Sequence, residues 1–129
     1  MNILRSIAAV IAGYLVFGIA AGILFAIVKQ DPHSVASTAY MVGTTAYGAV
    51  FAALGGYLTA SLAPRLPMAH VAVLAGIIAG GAVVSILTRA SDEAMWSQVA
   101  AIVVIAPAVL IGGWMKARRA RNQPEVTGR

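Results

Sequence analysis

The chain has 129 residues, of which 60% are hydrophobic and 10% charged, with a net charge of +5 and a mean hydropathy of +0.89. Soluble domains carry about 25% charged residues, and a chain this short cannot keep so much apolar surface out of water. The composition excludes a soluble enzyme domain, a disordered chain and a fibrous one, and it points to an integral membrane protein.

The charges divide the chain. Arg5, Lys29, Asp31, Arg65, Arg89, Asp92, Glu93 and Lys116 bound four charge-free runs, 6–28, 32–64, 66–88 and 94–115. A membrane-crossing helix needs roughly 20 apolar residues, because about 30 Å of hydrocarbon is covered at about 1.5 Å per residue. Each run therefore predicts one helix. The first covers about 5–28, too long an apolar stretch for a signal-peptide core of roughly 7–15 residues, and reads as an uncleaved span. Asp31-Pro32-His33 lies in the loop that follows, where Pro32 stops a helix. The second helix covers about 37–62 and ends at Ala63-Pro64-Arg65-Leu66-Pro67. The third covers about 68–88. Ser91 is a predicted N-cap for the fourth, at about 93–115, with Asp92 and Glu93 favourable at its start. Residues 1–116 thus form one transmembrane domain, and 117–129 a basic, disordered tail. The fold class is all-α, an integral membrane four-helix bundle.

Orientation follows from lysine and arginine. Arg5, Arg65, Lys116, Arg118, Arg119, Arg121 and Arg129 fall on one side, Lys29 and Arg89 on the other. The positive-inside rule then puts both termini in the cytoplasm, in a multi-pass protein of an inner membrane. The basic excess is read as this topology signal, with no nucleic-acid partner. The alternative reading has Lys116, Arg118, Arg119 and Arg121 contacting anionic lipid headgroups. Trp96 and Trp114 are 18 residues apart, about 27 Å along a helix, the spacing of two interfacial aromatic belts.

Helices meet in lipid through small residues. Gly18 and Gly22 form a GxxxG in the first helix, and Gly76 and Gly80 another in the third. Ala9, Gly13 and Ala20 share the face opposite Gly18 and Gly22, so the first helix has two smooth sides. These faces are the predicted contacts within the bundle, with a second copy, or with a larger membrane protein. Pro107 predicts a kink in the fourth helix.

The second helix carries the polar pattern. Ser37, Tyr40, Thr44, Tyr47 and Thr59 fall within one arc, with Phe51 among them. Hydroxyls at that depth serve either inter-helix hydrogen bonds or a narrow polar pathway or small-ligand groove lined by Tyr40, Thr44, Tyr47 and Thr59.

Chemistry is otherwise sparse. No Asp, Glu, Lys, Arg or His lies deep in a predicted span, as coupled transport would require. There is no cysteine, hence no disulfide, thiolate metal site or thiol catalysis. Asp31 and His33 read as a solvated loop and His70 as a headgroup-level residue rather than as metal ligands. The expectation is no catalytic, cofactor or metal site, and no enzyme.

Gly13-Tyr14-Leu15 and Gly55-Gly56-Tyr57-Leu58-Thr59-Ala60, followed by Leu62-Ala63-Pro64-Arg65 and Pro67-Met68-Ala69-His70, resemble a family of small, uncharacterised four-span proteins of bacterial inner membranes. The resemblance implies the fold and the membrane but no activity. Small multidrug transporters, which depend on a glutamate in the first span, do not fit, because residues 6–28 contain none. Nor do fluoride channels, which rely on asparagine and paired phenylalanines in the pore. The expected function is therefore a structural or accessory membrane protein. The alternative is a small oligomeric channel or uncoupled transporter lined by the polar face of the second helix.

Overall fold

The computed structural model describes residues 2–28, 37–88 and 96–122. Four helices make up the fold: α1 (Asn2–Val28), α2 (Thr38–Leu62), α3 (Pro67–Thr88) and α4 (Trp96–Asn122). Each has at least 22 residues and is apolar enough to cross a membrane. The loops holding Asp31 and His33, and Ser91, Asp92 and Glu93, lie outside the described residues, as does the tail beyond Asn122.

Local chemistry sets the ends. The Ser37 side chain accepts a hydrogen bond from the Tyr40 N–H at 3.2 Å, capping α2. At the other end Ala63 is extended, as a residue before proline must be. Leu66 turns the chain with φ at 47°, and Pro67 opens α3 at a position where its missing N–H costs nothing. The Leu66 carbonyl then accepts from Ala69 N at 3.0 Å.

α4 departs from the sequence reading twice. It continues to Asn122 rather than ending near Met115, so residues 117–122 of the expected disordered tail are helical. Lysine, alanine and arginine are strong helix formers; the charges end the apolar run without ending the helix. Its early part also contains a π-helical turn over Ala101–Ile105, in which Ala106 N–H donates to the Ala101 carbonyl. Pro107 stands two residues beyond it. A proline cannot donate to the carbonyl four residues back and crowds it, and the wider turn gives that carbonyl room.

α2 is the hub, packing on α1, α3 and α4, while no Cα of α1 comes within 8 Å of one in α4. The close approaches run through glycine. An added Cβ on Gly13 would overlap the Thr59 hydroxyl and lie 2.6 Å from the Gly55 carbonyl, at the α1–α2 contact. Gly56 against the Val109 carbonyl and Gly112 against the Ala53 carbonyl bring α2 and α4 together, and Gly113 seats Val71 of α3. Val71, Leu74, Ala75 and Ile78 of α3 join Ala52 and Ala60 of α2 and Ile105, Ala106 and Val109 of α4 in one core. The outer faces are apolar and exposed, as at Ile11, Ile19, Val50, Val73, Val84 and Ile111.

Arg5 Nε donates to the Leu62 carbonyl at 3.2 Å, which places the start of α1 beside the end of α2. Arg65 and the basic segment from Lys116 to Arg121 belong to the same end of the bundle.

Candidate functional site

The hydroxyls of α2 have separate employments. Thr59 is fully buried and donates to the Ala9 carbonyl of α1 at 3.1 Å. Tyr47 OH donates to the Ala20 carbonyl of α1 at 2.9 Å. Thr44 Oγ1 donates to the Tyr40 carbonyl of its own helix at 2.8 Å, and Ser37 is the N-cap. Tyr40 packs edge-on against Trp96, with ring centroids 5.8 Å apart at 76°, and its buried hydroxyl has no hydrogen-bond partner among the described residues. Between Tyr47 and Thr59, the Phe51 ring leans on Tyr47 with centroids 4.8 Å apart. The stripe therefore lines no continuous passage within one chain: Thr59 and Gly55 are sealed against α1.

The predicted packing glycines also divide. Gly13 is buried in the α1–α2 contact. Gly22, Gly76 and Gly80 have nothing within 4 Å of an added Cβ, and Gly18 has only the Tyr14 ring of its own helix at 3.9 Å. The two GxxxG pairs thus do no work inside this bundle. Besides Gly13, the close approaches use Gly55, Gly56, Gly112 and Gly113, which occur as adjacent pairs rather than at spacings of four, and an added Cβ on Gly48 would meet Ile105 at 3.0 Å.

At the basic end, Arg118 lies over the Trp114 ring, 5.2 Å from its centroid, and Lys116 Nζ lies 5.8 Å from the Tyr57 centroid. Arg119 and Arg121 are exposed in the last turn of α4, where positive charge favours a helix C-terminus.

The far half of the bundle is more open. A cavity of about 190 Å³ sits between α1, α2 and α4, walled by Phe17, Phe25, Thr44, Tyr47, Trp96 and Ser97, among others. Across Phe17, Ser97 and Ala101 it adjoins a groove of about 470 Å³ that α3 borders with Ile77, Gly81 and Ser85. In the wall of that groove stands a polar group that the sequence reading missed. Gln98 is 4% exposed; its Nε2 donates to Ser85 Oγ at 3.0 Å, and its Oε1 accepts from Ser97 Oγ at 3.0 Å. A glutamine inside the charge-free run 94–115 was the available signal, passed over because the search was for ionisable groups.

His70 Nδ1 lies 3.1 Å from the Leu66 carbonyl, within its own turn. Among the described residues no three His, Cys, Asp or Glu side chains gather; the four carboxylates, Asp31, Asp92, Glu93 and Glu125, lie outside them. Comparison with family models, with curated proteins and with solved structures finds no match. What fold and site define is a four-helix bundle with helices of membrane-crossing length, in backbone contact at its glycine crossings and with a half-open cavity toward the end away from the basic residues.

Proposed function

We propose that this chain is a multi-pass inner-membrane protein with both termini in the cytoplasm, and that it serves as a non-enzymatic accessory by packing against another helix in the bilayer. The observation that carries the reading is the division among glycines. Internal packing accounts for Gly13, Gly55, Gly56, Gly112 and Gly113, whereas Gly18 and Gly22 on α1 and Gly76 and Gly80 on α3 stand on outward faces with no other helix against them. Helix-interior glycine costs about 1 kcal/mol relative to alanine, and small-xxx-small faces are where helices associate in lipid. The orientation rests on the excess of lysine and arginine around Arg5, Arg65 and Lys116 to Arg121.

Because the chain has no cysteine, single substitutions Gly22→Cys and Gly80→Cys test the association directly. Oxidation or a short bifunctional maleimide, applied in native membranes, is expected to give a cross-linked product of defined mass at one of the two positions. A mass of twice the chain means a second copy, and any other defined mass a larger partner. Only monomer at both positions overturns the reading. A reporter fused after Arg129 is expected to be active on the cytoplasmic side only, and activity on the other side overturns the orientation.

A further inference from the structure

α1 and α4 lie diagonally across the bundle, with no Cα of one within 8 Å of one in the other. Between them is a half-open cavity of about 190 Å³, with Phe17 and Phe25 of α1 facing Trp96, Ala100 and Ile105 of α4. An enclosed apolar cavity of about 150 Å³ holds a benzene molecule. This one has room for a six-membered ring with a small substituent, entering from its open side.

The hydroxyls decide which substituent. Thr44, Thr45, Tyr47 and Ser97 line the cavity, and three of the four have spent their proton. Thr44 donates to the Tyr40 carbonyl, Tyr47 to the Ala20 carbonyl and Ser97 to Gln98 Oε1. A hydroxyl has one proton and two acceptor lone pairs, so what these three have left to offer is acceptors. Ser97 is held in this role by its neighbour: Gln98 is buried, with its amide N–H fixed on Ser85. The fourth, Thr45, has no hydrogen bond among the described residues and keeps its proton, so this apolar, aromatic chamber offers three acceptors and one donor, which matches a ring that carries a hydroxyl, a group that both donates and accepts.

We propose that this cavity binds a single aromatic ring bearing a hydroxyl, with the ring against Phe17, Phe25 and Trp96 and the O–H donating to Thr44 or Ser97. A free phenol and the ring of a bilayer-borne benzoquinol share this chemistry.

The chain has two tryptophans, and only Trp96 borders the cavity; Trp114 lies 18 residues further along α4. A Trp114→Phe variant of the full chain in mild detergent therefore reports on the site through Trp96 emission. It is titrated with phenol and with anisole, which keeps ring and oxygen but lacks the donor, exciting at the red edge of tryptophan absorption. Both are expected to change the emission saturably, phenol at a roughly threefold to tenfold lower free concentration, the increment of one hydrogen bond. The Trp96→Phe variant, which keeps Trp114, is expected to be silent. A non-saturable response, or a response equal in the Trp96→Phe variant, overturns the site, and equal or tighter binding of anisole overturns the donor assignment. Two further variants separate pocket from fold. Ala21→Leu, which fills the cavity, is expected to abolish both responses. Thr44→Val is expected to bring the phenol-to-anisole ratio toward one while leaving anisole unchanged. Wild-type behaviour of both variants overturns the proposal. In liposomes, displacement of phenol by a decyl-tailed benzoquinol assigns the bilayer as the source, and failure to displace it a water-borne ligand; either upholds the chemistry.

Discussion

Gly112 gives the sharpest test of the packing scheme. An added Cβ there would overlap the Ala53 carbonyl oxygen and stand 2.7 Å from the Ala53 Cα. Carbon pairs rest at about 3.5–4.0 Å, so Gly112→Ala forces α2 and α4 apart by about 1 Å. Backbone cannot swing aside as a side chain end can. Overpacking of this kind costs about 1–3 kcal/mol, and the better helix propensity of alanine returns about 1 kcal/mol at most. Because the overlap is with backbone, the cost stands at the upper end of that range, and the net expectation is a loss of about 2 kcal/mol, a factor of roughly 30 in the folding equilibrium. Gly22→Ala and Gly80→Ala meet nothing within 4 Å and keep the propensity gain. The assay is unfolding of the full chain in mild detergent by stepwise addition of SDS, followed by tryptophan emission. Gly112→Ala is expected to unfold at a clearly lower SDS fraction than wild type, and the two outward variants at the same fraction or a higher one. If Gly112→Ala unfolds together with Gly22→Ala, the α2–α4 contact is not the close approach described here and the reasoning fails.

Three further outcomes follow from single contacts. Thr59→Val removes the buried hydrogen bond to the Ala9 carbonyl while keeping the side chain's shape; inter-helix hydrogen bonds in membranes average about 0.6 kcal/mol, so the SDS midpoint is expected to fall slightly, by less than for Gly112→Ala. Leu66 holds φ at 47° and is 75% exposed; the left-handed region costs about 1–2 kcal/mol for a residue with a Cβ, and glycine's extra entropy takes back about 0.5–1 kcal/mol, so Leu66→Gly is expected to raise the midpoint slightly. Replacing Lys116, Arg118, Arg119 and Arg121 by glutamine is expected to abolish any preference for anionic over neutral lipid, at about 1 kcal/mol per basic residue near the surface, read by competition of the two lipids for the purified chain; an unchanged preference places headgroup binding elsewhere.

The four helices were legible because charge placement alone encodes them: each charge-free run of 22 residues or more became one helix. The end of α4 was less legible, because hydropathy reports where the apolar stretch stops, while Lys116, Ala117, Arg118, Arg119 and Ala120 propagate a helix regardless. Ala9, Gly13 and Ala20, one of the two smooth sides of α1, are all buried. Spacing could not say which of its two smooth sides would meet another helix, because that depends on what the partner presents. Gly13 finds Gly55, and Gly22 finds nothing. Thr44, Tyr47 and Thr59 share an arc by angle, yet each has a different acceptor, since a helical wheel is blind to the distance of its neighbours. Of the cavity, only Thr44 and Tyr47 were legible, as members of the polar arc: the rest of its wall is made by three helices, and the Gln98–Ser85 bond beside it joins residues 13 positions apart.

The glycine crossings and the cavity differ in what stands between the helices. Where glycine replaces a side chain at a crossing, helices approach until backbone meets backbone, as at Gly13 on Gly55 and Gly112 on Ala53. Toward the other end the crossings pass to Phe17, Phe25, Tyr47 and Trp96. Rings of that size hold helices apart and cannot fill the gap between them as closely as interleaved small side chains. The π turn at Ala101–Ile105 falls on this boundary, with Ala101 and Ile105 in the cavity wall. Shifting α4 by one residue's rotation there lets Val109, Gly112 and Gly113 face the core below while Trp96 and Ser97 face the cavity above. If that division is what the turn serves, then closing the π turn, by Pro107→Ala with deletion of Val103, is expected to keep the folded SDS midpoint, because an α-helix one residue shorter retains the facing of both flanks. Inserting one alanine beside Val103 instead turns Trp96 by about 100° and is expected to abolish its response to phenol. An insertion variant that still responds would show that the turn is incidental to the cavity.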